Sequence, residues 1–194
     1  MQFKDLESHN LCAQCFTGLD KTSYDSSNQV TMCAAKHRAI NFDALMELYA
    51  KLHKISLPSS ADAFLCVGED EGLLIEFKNG FVDKSAARQI AKKAYDSILI
   101  LSEFTGKSIC DYRDNLTFVL VVNEAKNEGA LPKSVAPSSS EALSGMVKSL
   151  SAKGGESFVP YGLHVFKGYC FKEVRVVGGA EFERDVLGDV VPLG

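Results

Sequence analysis

No stretch of this 194-residue sequence approaches the ~20 consecutive apolar residues that a membrane span requires, so no transmembrane helix is expected. An excess of positive charge is also missing. With 21 Lys and Arg against 25 Asp and Glu the formal net charge is −4, and any attraction to nucleic-acid phosphates has to come from a local basic patch. The opening residues, MQFKDLESHN, mix charges where a secretory signal needs an unbroken apolar segment, and the expected location is the cytoplasm. There the six cysteines (Cys12, Cys15, Cys33, Cys66, Cys110 and Cys170) are expected as reduced thiols, not as a disulfide framework.

What remains is an ordinary globular composition, 46% hydrophobic and 24% charged, in a chain long enough to bury one sizeable core. A single domain, 1–194, is expected. Residues 1–40 carry weak periodicity. From position 41 the pattern sharpens: Asn41 is placed to cap a helix running to about 54, with Phe42, Leu45, Met46, Tyr49 and Leu52 largely on one side. Two short apolar strands follow, 63–67 and 73–78, separated by the polar turn GEDEG and expected to pair as a hairpin. A long helix is predicted over about 83–104 from Ala87, Ala91, Ala94, Ile98 and Leu101. The run LTFVLVVN at 116–123 reads as a strand covered on both faces. Beyond the loop at 126–140, Ser138 and Glu141 are spaced as a capping box for a further helix; FKEVRVV reads as a strand and AEFERDVL as a short helix.

The hairpin carries an unusual set of charges. A turn symmetric about Asp70 would place Asp62 opposite Lys78 and Phe64 opposite Glu76, with Asp62, Glu76 and Lys78 on one face of the sheet. Neighbours across a strand pair lie ~5 Å apart, so two carboxylates would fall within reach of one small ion with an ammonium beside them. Carboxylate oxygens suit a hard divalent cation, which can polarise a phosphate while a nearby lysine acts on water or on developing charge.

In this combination of residues and element order the chain resembles the PD-(D/E)xK nuclease superfamily. Its core is a helix, a three-stranded meander, a helix and a further strand, and its motif is an Asp on one strand followed by Glu-x-Lys or Asp-x-Lys on the next. The LLIEFKNG strand is also similar to that of uncharacterised bacterial proteins. The resemblance spans about 41–123, with 1–40 and a helix-strand-helix segment, 126–194, as accessory parts. It implies an α/β fold of restriction-endonuclease-like type, a mixed central sheet flanked by helices. It further implies a Mg2+- or Mn2+-dependent phosphodiester hydrolase acting on DNA or RNA, with Asp62 and Glu76 as metal ligands and Asp62, Glu76 and Lys78 as the catalytic set. The position before Asp62 holds Ala61 where the superfamily has a proline.

A bland reading stands beside this one: a cross-strand Asp62–Lys78 ion pair with Glu76 solvated, in a non-enzymatic interaction module of the same fold. A second Glu-x-Lys, Glu124–Lys126, has no Asp-bearing hairpin partner and shows how little the tripeptide means alone. Glu47, the acid considered on the first long helix, points away from the apolar stripe and reads as solvated. Lys84, Arg88, Lys92 and Lys93 on the following helix are candidates for contacting nucleic-acid phosphates; the plain alternative is a solvated helix face. Cys12, Cys15, Cys33 and His37 have zinc-ligand spacing, though buried thiols and an unrelated histidine are expected.

Overall fold

Alternation along the strands sets up two cores, one on each side of a six-stranded sheet. The structure is a computed structural model and describes residues 1–129, 131, 159–188 and 190. In chain order the main elements are a short helix α1 (Asn10–Ala13), β1 (Phe16–Gly18), a single-turn α2 (Leu19–Thr22), β2 (Tyr24–Asp25), β3 (Val30–Thr31), β4 (Arg38–Asn41) and α3 (Phe42–His53). They continue with β5 (Ala63–Cys66), β6 (Gly72–Lys78), α4 (Lys84–Thr105), α5 (Ile109–Asn115), β7 (Leu116–Val122) and β8 (Glu173–Gly178). The sheet order is β1-β4-β5-β6-β7-β8, with β2 and β3 forming a separate two-stranded ribbon. Strands β1 to β6 pair antiparallel; β6, β7 and β8 run parallel, so the sheet is mixed. The sheet therefore extends past 41–123 on both sides, through β1 and β4 before it and β8 after it.

Along β6, Leu74 joins the larger core with Phe3, Phe42, Phe64, Ile98 and Phe118, while Leu73, Ile75 and Phe77 join the other with Leu19, Val119 and Phe182. Helices α3 and α4 cover the first face because their apolar stripes, Leu45, Met46 and Tyr49 on one and Ile90, Ala94, Ile98 and Leu101 on the other, have nowhere else to be buried. Asn41 and Asp83 cap them, each side chain accepting from a backbone N–H three residues on, Ala44 at 3.0 Å and Ala86 at 2.7 Å. The helices predicted over 42–54 and 83–104 are present, as is the hairpin, and AEFERDVL is helical across Gly179–Glu181 and Phe182–Val186. A seven-residue helix, α5, joins α4 to β7 where none was anticipated, started by the reciprocal Ser108–Asp111 cap. The predicted helix at Ser138–Glu141 lies outside the described residues, and no helix among those described is long and apolar enough to cross a membrane.

The hairpin register differs from expectation by two residues. Ala63 pairs with Ile75, Phe64 with Leu74 and Cys66 with Gly72, so Asp62 stands opposite Glu76, not Lys78. The misleading residue is Gly72. Read as a turn glycine, it belongs to the strand, because a Cβ there would lie 2.7 Å from the ring of Phe64. The turn is correspondingly shorter, closed by Val67 N–H donating to the Glu71 carbonyl at 3.0 Å.

Candidate functional site

Glu76 shares the helix-covered face with Leu74 and is the one charged side chain that β6 buries, its side chain only 4% exposed. Burial of an unpaired carboxylate costs several kcal/mol, so it is answered by a nearby cation, by a proton, or by both. The partner comes from α4. Lys93 follows Ile90 and precedes Ala94 and Ser97 on the sheet-facing side of that helix, and its Nζ donates to both Glu76 oxygens at 2.8 and 2.9 Å and to Asp62 Oδ1 at 3.3 Å. The other Asp62 oxygen, Oδ2, accepts from Phe77 N–H at 2.6 Å. Three elements, the β5 approach, β6 and α4, thus bring two carboxylates and one ammonium to a single partly covered point.

Lys78 is not at that point. Its half-buried side chain runs toward Gly80, where a Cβ would sit 3.6 Å from the lysine Cε, and it bonds to neither carboxylate. Both halves of the simple ion-pair reading fail with it: Glu76 is buried, not solvated, and the lysine paired with Asp62 is Lys93. The four basic residues of α4 also separate. Lys92 pairs with Asp96 at 2.5 Å and Ser59 at 2.8 Å, and Lys84 and Arg88 line a groove of about 320 Å³ with Tyr161, Leu163 and Phe166. Residues nine apart on a helix face opposite ways, which is why Lys84 and Lys93 cannot serve one cleft wall.

A third acid is near the centre and escaped the sequence reading. Asp43, in the first turn of α3, accepts from Ser60 Oγ, and its charge reaches both site carboxyls. Glu47 on the same helix is exposed, as expected. The signal for Asp43 lay in the fold, since only the docking of α3 beside the 60–62 segment brings it there. The copy Glu124–Lys126 forms a single 3-10 turn past β7. Cys12 and Cys15 lie in the helix-side core and Cys33 in the core across the sheet; among the described residues no three His, Cys, Asp or Glu side chains gather as a metal-binding group.

The electrostatics follow from burial with too few cations. Burial pushes the Asp62 carboxyl up to about 6, with Asp43 adding to it, against the pull of Lys93 and the Phe77 N–H. Burial and then the Asp62 charge hold Glu76 well above the usual carboxylate range despite Lys93. Burial alone would lower the Lys93 ammonium, but the two carboxylates outweigh it and raise its pKa. A carboxyl with a raised native pKa binds its proton more tightly folded than unfolded. Its stabilising contribution is therefore complete below the unfolded value and lost as pH rises through the native one. We expect urea unfolding to show stability rising as pH falls from 7.5 toward 5, by about 1.4 kcal/mol from Asp62 alone, with a flatter profile in Glu76→Gln. A stability that declines steadily over that interval would contradict this account.

Comparison with protein-family models, with curated proteins and with solved structures returns no significant match to this chain.

Proposed function

We propose that the chain is a metal-dependent phosphodiester hydrolase acting on DNA or RNA, built on a restriction-endonuclease-like core formed by α3, β5, β6, α4 and β7. One observation carries the reading: Asp62 and Glu76 face each other across the hairpin with a single lysine between them, so the buried carboxylates outnumber their cation. The motif lysine is then Lys93 from the helix, not Lys78 from the strand. One departure from the superfamily order accompanies it: the third antiparallel strand, β4, pairs with β5 but precedes α3 in the chain.

The donor set suits a hard divalent cation, since both acids offer only carboxylate oxygens and their negative charge is incompletely neutralised. Mg2+ or Mn2+ held by Asp62 and Glu76 would supply Lewis-acid polarisation of the scissile phosphate. Lys93, freed from one carboxylate, would donate toward the attacking water or the phosphate charge that grows in the transition state. Asp43 keeps the site electronegative, and the Phe77 N–H fixes the Asp62 carboxylate.

A second reading, a catalytically inactive nuclease fold serving as an interaction module, is favoured by the same lysine, which takes both Glu76 oxygens as a structural ion pair does. Incubation with Mg2+ or Mn2+ and single- and double-stranded DNA and RNA, together with calorimetric titration of the metals, separates the two. The hydrolase reading expects cleavage that EDTA abolishes; absence of both cleavage and metal binding, with substrate present, would leave the interaction module. If Lys84 and Arg88 contact phosphates, replacing both by Glu will weaken oligonucleotide binding and lower its salt slope by about 2. Unchanged affinity would return them to plain solvated surface.

A further inference from the structure

The loop from β6 to α4, residues 79–83, holds an aromatic ring out of the protein in a place where the backbone is clamped. Asn79, 6% exposed, donates to Asp25 Oδ2 at 2.9 Å and accepts from Asn123 Nδ2 at 2.8 Å. Asn127, also buried, accepts from Val82 N–H at 3.0 Å and donates to the Gly80 carbonyl at 3.1 Å. Val82 is buried in the core. Between these fixed points Phe81 is 68% exposed, the most exposed large hydrophobic side chain among the described residues. The clamps on both sides deny the ring the freedom to tuck under the loop.

Three lysines flank the loop, beside the Asp25 carboxylate that accepts from Asn79. Lys78 runs over Gly80, Lys126 Nζ lies 3.4 Å from Asn79 Oδ1, and Lys84 opens α4; none of the three forms an ion pair among the described residues. The neighbouring Asp83 carboxylate is turned to cap α4. An apolar protein partner would look for a contiguous hydrophobic patch, whereas a single exposed ring on a loop flanked by three lysines matches a base with its phosphates.

We infer that Phe81 is a stacking platform for an unpaired nucleobase, and that the substrate class of the site is single-stranded nucleic acid. The inference rests on the nuclease reading above. A base inside a duplex has both faces taken by its neighbours, so it offers the ring nothing to stack on.

The chain has no tryptophan, so Phe81→Trp places a sole indole reporter at the platform. In EDTA, with a fluorescent oligothymidylate and a blunt duplex of equal length as probes, Phe81→Trp should keep the wild-type affinity for the single strand and be quenched by it, and much less by the duplex. Phe81→Ala should bind the single strand about 5- to 150-fold more weakly, with little change for the duplex. Single-strand affinity unchanged in Phe81→Ala, or indole emission unchanged at saturation, would overturn the platform while leaving the hydrolase reading standing. If the wild type neither binds nor cleaves any oligonucleotide, with or without Mg2+, the hydrolase reading itself falls and the platform with it.

Discussion

On the hydrolase proposal, Lys93→Ala is expected to lose cleavage by at least 10²- to 10³-fold, and on either reading to destabilise the fold by about 3–5 kcal/mol at pH 7.5. The first figure is the usual effect of removing a preorganised transition-state donor. The second is the cost of stripping one partner from a buried ionic cluster, because Asp62 and Glu76 would then face each other with no cation at all. The loss should shrink toward pH 5, where the carboxyls can take protons instead. Lys78→Ala supplies the contrast: it makes no bond to either carboxylate, so its stability should stay within about 0.5 kcal/mol of wild type. Denaturant unfolding and cleavage assays on the two variants read both effects. A Lys78→Ala protein that is inactive, beside a Lys93→Ala protein that still cleaves, would return the motif lysine to the strand.

Glu76→Gln separates function from stability in the opposite sense. A neutral amide is a poor ligand for a hard cation, so the metal binding and cleavage that the hydrolase proposal expects should both vanish. Stability, however, should hold or improve by about 1 kcal/mol at pH 7.5, since the variant removes a buried charge that its surroundings only partly neutralise and leaves Lys93 to pair with Asp62. Calorimetric titration of Mn2+ into wild type and variant, beside their unfolding curves, tests the pair of claims. A variant that is less stable by several kcal/mol, from a wild type that binds no metal, would identify Glu76 as a structural ion-pair residue only.

Apart from α5, the secondary structure of 41–123 was legible because its signals are local. The helix cap at Asn41, the apolar stripe of α4 and the apolar run of β7 each act within a few residues and need no knowledge of what lies opposite. The register was not legible, because Gly72 has two uses that look alike in sequence. A turn and a tight ring contact both call for a missing Cβ, and only the position of Phe64 across the strand pair shows which one applies. The strands β1 and β4, short and weakly patterned, also needed their pairing partners before they could be recognised.

The sequence by itself determined which residue types were available and which face of β6 they share: Glu76 and Lys78 alternate with buried apolar neighbours whatever the register. It also determined that a basic helix follows the hairpin directly. Tertiary structure decided which lysine answers the buried acids, and why Asp43 joins them. A strand-borne lysine at the end of β6 can leave for solvent, whereas Lys93 is carried onto the carboxylates by the same α4 stripe of Ile90, Ala94 and Ile98 that docks the helix on the sheet. Packing set that geometry, and the Lys93 ammonium bonds to both buried carboxyl groups there.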